Sequence, residues 1–461
     1  MGFQTVLTEF QRKASYLHVL FGILIASRLH ILAKAECGSF GCSLTAVDII
    51  YDESAREALS ILRQTDPKKN SHDEGTNGEY IDSLKLLDQR SEALSKLEIA
   101  GDESKTTLTL RGYKGGRLQD QINQDRAMVV SPMDILTNSS KSTPIVQLLG
   151  VFDGHGSGGE KTSQYAVEQI PSLLATKLGA IFRNEDDRES RKQENLIAES
   201  DSPVVEALKE TFDEVDKNDP TRGDAGCTAT VVLRVGKKIF IANAGDSVSF
   251  IGIYITGESI STHLQKQVQI VYQSREDKPD LPDEKARIEA AGGYVSIPPD
   301  DNGDVSRAYY VDEHRRLRYG LAMSRSLGDW KVQGVIAEPI VDVLTLDEVV
   351  EQALSTYAKA CGSKIEESEE FGDESNGSCH VVDESDIHAF AASISDGMMD
   401  YLNTNDIGQA LAEAFFDSEN SSHPHSAAEN LITSAAMGWE GEFNGQYRDD
   451  IAIASFIVPL R

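Results

Sequence analysis

One stretch decides the fold of this chain: Ile145-Val-Gln-Leu-Leu-Gly-Val-Phe-Asp-Gly-His-Gly156. Its first eight residues form a short apolar run whose length and β-branched content predict a buried strand. Asp153 and Gly154 follow the strand at once, and a glycine lets a ligand approach the backbone closely. By itself an Asp-Gly pair after a strand most often marks a turn, so the stretch gains meaning only from similar sites elsewhere.

Three other apolar runs carry an aspartate at one end. These aspartates are Asp246, Asp396 and the pair Asp449-Asp450. Rigid strands can bring such ends together, so four ordered sites are hard to explain as unrelated turns. Carboxylate clusters without cysteine and with few histidines select hard cations such as magnesium or manganese, not zinc.

The composition argues against several classes of protein. The 461 residues contain 44 Lys and Arg against 75 Asp and Glu, and the net charge of −31 argues against general nucleic-acid binding. A hydrophobic fraction of 40% suffices for a real core, which rules out wholesale disorder. The five cysteines include no C-x-x-C pair, which argues against a disulfide scaffold or a structural zinc site.

The chain divides into a polar N-terminal part and a larger domain. Residues 36–105 form a polar extension without a dense apolar pattern. Strand-like and helical patterns alternate irregularly over residues 106–461, which predicts one α+β domain. Two polar stretches within it, 184–202 and 363–386, bury little apolar surface and are expected to be mobile surface loops.

Several elements of the domain can be placed from the sequence. The best strand candidates are residues 145–152, 229–235, 238–242, 388–394 and 451–458. Helices are expected at residues 161–182, 283–291, 406–417 and 426–437. Pro171 interrupts the first helical pattern and leaves open whether it is one helix or two.

Residues 1–35 contain a segment that could direct the chain to a membrane. The apolar run from Tyr16 to Ser27 is shorter than the roughly 20 residues that span a bilayer. With Ala33-Lys-Ala35 it fits a secretory signal peptide or a short anchor, whereas Glu9 and Arg28 argue against one. An amphipathic helix is the alternative, and membrane contact is expected only if the segment is retained.

The ordered motifs resemble those of the metal-dependent PPM-type (type-2C) protein serine/threonine phosphatases. The resemblance runs from about Tyr113 to Val458. The motifs are Asn123-Gln-Asp125, Val151-Phe-Asp-Gly-His-Gly156, Gly226-Cys-Thr-Ala229, Ile241-Ala-Asn-Ala-Gly-Asp-Ser247, Lys278-Pro-Asp-Leu-Pro-Asp-Glu-Lys-Ala-Arg-Ile-Glu-Ala-Ala-Gly-Gly293, Leu321-Ala-Met-Ser-Arg-Ser-Leu-Gly-Asp329, Ser395-Asp-Gly397 and Arg448-Asp-Asp-Ile451. The resemblance implies a four-layer sandwich, two antiparallel β-sheets flanked by helices, with a metal site at one edge. It also implies a monomer, intracellular unless residues 1–35 act as a signal.

The resemblance implies a site for two magnesium or manganese ions and a weaker third. Asp153 would bridge the two ions, and the Gly154 carbonyl would bind the second. Asp396 and Asp449 would complete the first site. Asp449 is favoured over Asp450 because the family pattern places the ligand before an Asn or Asp, and Asp450 would then make hydrogen bonds.

Three further positions follow from the same resemblance. Asp125 ends the acidic motif and would serve the second ion, but Gln124 stands where many members have glutamate, which lowers the expected affinity. Asp246 would lie near the weaker third ion, with capping of the following turn as the alternative. Asp329 is expected to be mainly structural, or else to make a hydrogen bond beside the site.

His155 and an arginine would complete the chemistry. By resemblance His155 is the candidate general acid, and a histidine of ordinary pKa can protonate a leaving alkoxide. The position where family members usually carry a phosphate-binding arginine is Asp120 here. Arg117, three residues earlier, is therefore the candidate, with Lys114 and Arg126 as weaker ones.

The predicted function is metal-dependent hydrolysis of phosphoserine and phosphothreonine in proteins, by attack of a hydroxide that bridges the two ions. Phosphorylated proteins are the expected partners. The first alternative is a catalytically inactive module of the same fold that binds phosphoproteins or partner proteins, suggested by Gln124 and the displaced arginine. The second is an acidic cation buffer, suggested by charge alone.

Overall fold

The computed structural model describes residues 103–115, 121–135, 144–190, 201–223, 225–256, 268–299, 305–311, 314, 316–371, 382, 384–417 and 423–460. The predictions for residues 1–35, for most of the extension 36–105 and for Arg117 lie outside these ranges. Within them, no helix is both long and apolar enough to cross a membrane.

The first of two large sheets, sheet I, has five antiparallel strands. Numbered along the chain, they are β1 (Lys105–Leu110), β8 (Val248–Ile255), β9 (Val268–Gln273), β15 (Ile387–Ile394) and β16 (Ile451–Val458). Their order across the sheet is β1-β16-β15-β8-β9. The central strand β15 pairs with both neighbours over nearly its whole length, so that Ala391 lies between Phe456 and Ile251.

The second large sheet, sheet II, is also antiparallel and five-stranded. Its strands are β2 (Arg126–Val130), β3 (Val146–Phe152), β6 (Ala229–Val235), β7 (Lys238–Ala244) and β14 (Ile340–Thr345). They are ordered β14-β7-β6-β3-β2. The strand that carries Asp153 at its end, β3, is thus held between β2 and β6, and all seven of its residues are buried.

Two small sheets complete the strand inventory of the described residues. One contains β10 (Tyr294–Ser296), β11 (Arg307–Val311) and β12 (Leu317–Leu321). The other contains β4 (Gly154–Gly156), β5 (Ala225–Cys227) and β13 (Leu327–Gly328), in the order β13-β5-β4. The second small sheet brings three of the sequence motifs side by side, because Gly154 pairs with Cys227 and Cys227 with Leu327.

Seven α-helices are described. They are α1 (Gly159–Ser190), α2 (Ser202–Lys217), α3 (Pro282–Ala290), α4 (Leu346–Phe371), α5 (Asp396–Met399), α6 (Thr404–Phe416) and α7 (Pro424–Phe443). Helix α1 continues through Pro171 as one helix, because Ile170, Leu174 and Leu178 are fully buried and their packing outweighs the lost backbone hydrogen bond.

Both stretches expected to be surface loops begin as helix. Helix α1 runs on to Ser190 and α4 to Phe371, so each enters the stretch by several residues. Glutamate, lysine and arginine favour helix even where nothing apolar is buried, which the hydrophobic pattern alone does not register. Residues 191–200 and 372–381 lie outside the described ranges, and the mobility of the loops stays a prediction.

The four-layer sandwich is confirmed by two cores. One core lies between the sheets, and the other lies between sheet I and helices α6 and α7. Strand β8 serves both cores by period-two alternation, with Ile251 and Ile253 in the first and Phe250 and Tyr254 in the second. Helices α1 and α2 pack on each other, and α1 packs on β2 and β3 of sheet II.

Candidate metal centre and active site

The aspartates singled out from the sequence meet at one end of the sandwich. Asp153 ends β3 of sheet II, whereas Asp396 begins α5 directly after β15 of sheet I. Asp449 and Asp450 precede β16, and Asp125 precedes β2. The carboxylates interact electrostatically across the two sheets, with Asp153 facing Asp125, Asp396 and Asp449. The two sheets therefore bring distant segments of the chain to a shared acidic pocket.

Asp125 is the most deeply buried member of this pocket. Its exposed fraction is 0%, and neither carboxylate oxygen accepts a hydrogen bond of normal geometry. Burial, followed by repulsion from Asp450, raises the pKa of Asp125 well above its usual range, although nearby Ser395 acts in the opposite direction. A buried carboxylate with two unused oxygens is costly unless a cation satisfies it.

Asp153 and Asp396 behave in the same way. Burial and the neighbouring Asp125 raise the pKa of Asp153 well above its usual range. Burial and the Asp246 carboxylate raise the pKa of Asp396 to about 7, and its Oδ1 atom is buried without a hydrogen-bond partner. Crowded carboxylates that cannot easily ionise together are a common mark of functional sites.

Thr228 fixes the backbone of Asp153. The amide of Asp153 donates to Thr228 Oγ1 at 3.0 Å, and the amide of Thr228 donates to the Asp153 carbonyl at 2.8 Å. The Thr228 hydroxyl also lies 2.7 Å from Ser247 Oγ, beside Asp246. The Gly226-Cys-Thr-Ala229 motif thus ties the end of β3 to the end of β7.

Asp449 and Asp450 have different surroundings. Asp450 is buried and accepts hydrogen bonds from the backbone amides of Gly112 at 2.5 Å and Gln124 at 3.1 Å. Asp449 is partly exposed and accepts a hydrogen bond from the Tyr447 hydroxyl at 2.9 Å. The Asp450 side chain therefore holds the loop before β2, while Asp449 borders the pocket.

Two lysines contact carboxylates of the pocket. Lys114 Nζ lies 2.6 Å from Asp449 Oδ1 and 3.8 Å from Asp450 Oδ2. Lys278 Nζ lies 2.8 Å from Asp246 Oδ2, and the Asp246 side chain is fully buried. Asp246 thus has a cationic partner of its own, which neither sequence interpretation of this residue foresaw.

His155 is held by Asp329. Its Nε2 atom lies 2.6 Å from Asp329 Oδ2, which also accepts a hydrogen bond from Ser326 Oγ at 2.7 Å. Burial disfavours the charged imidazole, but the facing Asp329 carboxylate outweighs it and raises the pKa of His155 above its usual value. The other ring nitrogen, Nδ1, is buried without a hydrogen-bond partner.

Comparison with known proteins identifies the family of this chain. The family model described as "Protein phosphatase 2C" matches residues 119–354, just over half of the chain. This chain belongs to the protein phosphatase 2C family. The match covers Asp125, Asp153, His155 and Asp246.

Curated relatives include "Probable protein phosphatase 2C 1" of Arabidopsis thaliana, 28% identical over 57% of this chain and 60% of the relative. "Protein phosphatase 2C homolog 3" of Schizosaccharomyces pombe is 32% identical over 44% of this chain and 39% of the relative. The chain thus spans between about two fifths and three fifths of the length of these two relatives. A solved serine-threonine phosphatase 2C of Toxoplasma gondii aligns with 77% of this chain and 99% of its own, at a TM-score of 0.47 and 16% identity.

Gln124, the departure from the usual acidic motif, has a structural role in this family member. Its side-chain amide donates to the Gly156 carbonyl at 2.9 Å, and its backbone carbonyl accepts a hydrogen bond from Ser163 Oγ at 2.5 Å. A side chain at Gly154 would come within 2.5 Å of the Gln124 carbonyl, so only glycine fits there. Gln124 therefore braces the loop after Asp153 without adding a negative charge.

The two weaker phosphate-ligand candidates differ in how they are engaged. Arg126 donates to Gln164 Oε1 at 2.8 Å and to two backbone carbonyls, those of Asn123 and Asp125. Lys114 is about one-third exposed and borders the pocket. Lys114 is therefore better placed than Arg126 to meet a phosphate, and Arg117 stays a prediction outside the described residues.

The chemistry of the pocket fits hard divalent cations. It offers carboxylate oxygens, with three of them on Asp125 and Asp396 buried and unpartnered. Among the described residues, however, no three His, Cys, Asp or Glu side chains form a group that could hold a metal ion. The donor set is thus suited to a metal, but its side chains are not drawn together around one point.

Proposed function

We propose that this chain is a metal-dependent protein phosphatase that hydrolyses phosphoserine and phosphothreonine in proteins. One observation carries the proposal. Asp125, Asp153 and Asp396, which come from different segments of the chain, face one another with raised pKa values at the shared end of both sheets. Such a cluster is electrostatically unfavourable in the free protein and suits a site that binds cations.

Magnesium or manganese would be held by the carboxylates of this pocket. Asp153 would serve two ions, with Asp396 and Asp449 on the first ion and Asp125 and the Gly154 carbonyl on the second. When bound, such ions supply Lewis acidity towards a phosphate and the attacking water. Asp246 would serve a third, weaker ion, although Lys278 already neutralises it.

His155 would deliver the proton that the reaction needs. Because Asp329 engages Nε2, Nδ1 is the nitrogen that would protonate the departing seryl or threonyl oxygen, and substrate binding would have to bring that oxygen to the buried Nδ1. The same contact raises the pKa of His155 and so favours the protonated form that a general acid requires. Asp329 would thus position the His155 ring in addition to its structural role.

Positive charge for the phosphate would come from lysine or arginine side chains at the rim. Lys114 lies at the edge of the pocket, and Arg117 lies three residues further along the chain. Cationic side chains bind phosphate through charge-assisted hydrogen bonds. Phosphorylated proteins would accordingly be the partners of this site.

The test is hydrolysis of a phosphothreonine peptide by the full chain with added manganese or magnesium. We expect the chain to release phosphate and EDTA to abolish this activity. The Asp153→Asn variant should hydrolyse the peptide at least about a thousandfold more slowly, because removal of a core catalytic group lowers the rate by that factor or more. Hydrolysis that persists in EDTA or in Asp153→Asn would contradict the proposal.

Gln124 favours one second candidate, an inactive module that binds phosphoproteins. Its amide braces Gly156 and adds no charged ligand to the pocket. Calorimetric titration with manganese separates the two candidates. An active phosphatase must bind the ion at micromolar to millimolar concentration, whereas absence of binding together with retained affinity for phosphopeptide would favour the binding module.

A further inference from the structure

The carboxylates of the pocket fall into two groups. Within the described part of the chain, Asp125, Asp153 and Asp396 have no lysine or arginine within ion-pair distance, whereas Asp449 and Asp246 each have one. Both carboxylate oxygens of Asp125 are fully buried and accept no hydrogen bond of normal geometry. The two lysines thus contact Asp449 and Asp246 directly, and they act on Asp153 and Asp396 only at longer range.

Both lysines are anchored beside their carboxylates by the backbone. The amide of Tyr113, the residue before Lys114, donates to the Arg448 carbonyl at 2.7 Å, and the Arg448 amide donates back to Tyr113 at 2.8 Å. The amide of Asp277, the residue before Lys278, donates to the Gly245 carbonyl at 2.9 Å. The residue before each lysine is therefore hydrogen-bonded to the residue before the partner aspartate. This backbone contact keeps the ammonium group close to the carboxylate, at a high effective concentration.

We propose that Lys114 and Lys278 are tethered counter-ions that compete with divalent metal for Asp449 and Asp246. The proposal rests on the metal site of the proposed function. Both oxygens of Asp449 already accept hydrogen bonds, Oδ1 from Lys114 at 2.6 Å and from the Asp450 amide at 2.8 Å, and Oδ2 from Tyr447 at 2.9 Å. A metal at Asp449 would therefore compete with Lys114 for this carboxylate. The Lys114 side chain is 38% exposed, so water can take up the released ammonium group.

The arrangement of the pocket agrees with such competition. Asp449 interacts electrostatically with Asp153 and Asp396, and Lys114 Nζ lies 2.6 Å from its Oδ1 atom. Release of Asp449 would let its carboxylate turn towards Asp396 and Asp153. Lys114 would therefore lower the affinity for metal while it stabilises the metal-free protein.

Manganese titration by calorimetry tests the proposal on the full chain. We expect Lys114→Met to bind manganese about three- to tenfold more tightly than wild type, because an exposed ion pair of this kind opposes binding by roughly that factor. Lys114→Arg keeps the charge and should bind like wild type. Lys278→Met should tighten the weakest binding step by a similar factor.

Lys285→Met is the matched control. Lys285 is 37% exposed, close to the 38% of Lys114, but its partner is Glu289 on the surface of α3, at 3.6 Å. This variant should bind manganese as wild type does. A thermal scan in EDTA provides a second reading, since Lys114→Met should melt at a lower temperature than wild type and gain more from added manganese.

The outcomes separate the two proposals. Equal or weaker manganese binding by Lys114→Met, with wild-type binding intact, would overturn the competition and leave the phosphatase proposal standing. Absence of manganese binding by wild type and all variants would overturn both. Tighter binding confined to Lys114→Met and Lys278→Met, with no change in Lys285→Met, is the result that the competition requires.

Discussion

Two regions of the described chain, the surroundings of Glu284 and the acidic pocket, contain carboxylates whose pKa values are shifted in opposite directions. Glu284 on α3 is fully buried among Arg275, Arg287 and Arg325, with contacts of 2.7 to 3.0 Å to each. Although burial opposes its ionisation, these partners and Ser324 lower the pKa of Glu284 to about 2. In the acidic pocket, burial and repulsion instead raise the pKa of Asp396 to about 7.

In these two regions, the supply of cationic partners rather than burial alone sets the direction in which the pKa is shifted. Asp277 illustrates the middle case, since it contacts Arg275 but burial still raises its pKa to about 6. The network around Glu284 joins α3 to the segment that leads to Asp329. The arginines around Glu284 thus stabilise the fold, whereas carboxylates of the acidic pocket lack such partners and suit a bound cation.

The largest expected effect on stability comes from breaking the paired region. Glu284→Gln should lower the free energy of unfolding by about 3–5 kcal/mol, because it leaves arginines facing an uncharged amide in a buried setting. Chemical denaturation measures this change. Glu289→Gln, on the exposed side of the same helix, is the control and should change stability by less than about 0.5 kcal/mol. A similar loss in both variants would contradict the contrast.

A substitution in the acidic pocket should change the free energy of unfolding in the opposite direction. Asp396→Asn should raise the free energy of unfolding in EDTA by about 1–2 kcal/mol at pH 8, because it removes a charge that burial and Asp246 disfavour. The same denaturation experiment measures it. Destabilisation of the metal-free protein by this variant would show that Asp396 is satisfied by a partner after all.

A smaller effect is expected when the pH is varied: the stability that Asp396→Asn gains over wild type should depend on pH. A group whose folded pKa is raised binds more protons in the folded than in the unfolded state between roughly pH 4 and pH 7. The wild-type protein should therefore recover stability relative to Asp396→Asn as the pH falls through this window, so the gain should shrink towards pH 4.

For Glu284 the pKa is lowered, so its stabilisation is present above about pH 4.3 and is lost as the pH falls towards 2. Unfolding curves in EDTA at four pH values check both, and a gain that stays constant from pH 8 to pH 4 would contradict the first.

The sequence predicted the elements that contiguous residues encode. The apolar runs at 145–152 and 451–458 form β3 and β16, and the expected helix at 406–417 forms α6 with a shift of one or two residues. Strand β8 (Val248–Ile255), equally apolar, was not singled out, although its composition carries the same signal. Pro171 shows the limit of local rules, since tertiary packing keeps α1 continuous across it.

The sequence placed the acidic residues of the candidate site at strand ends, and their roles as metal ligands stay predictions; the partners of its basic residues could not be predicted. Asp125, Asp153, Asp396 and Asp449 stand in recognisable motifs at strand ends. The contacts of Lys114 with Asp449 and of His155 with Asp329 join segments far apart in sequence. No local pattern specifies which lysine reaches which carboxylate, because that depends on how the two sheets pack.

Anomalous scattering from a crystal of the full chain soaked in manganese would locate metal ions in the acidic pocket. We expect two manganese peaks, one on either side of the Asp153 carboxylate. Asp396 and Asp449 should reach one of them, and Lys114 should be displaced from Asp449. Absence of manganese from this pocket, with peaks only at other carboxylates of the surface, would contradict it.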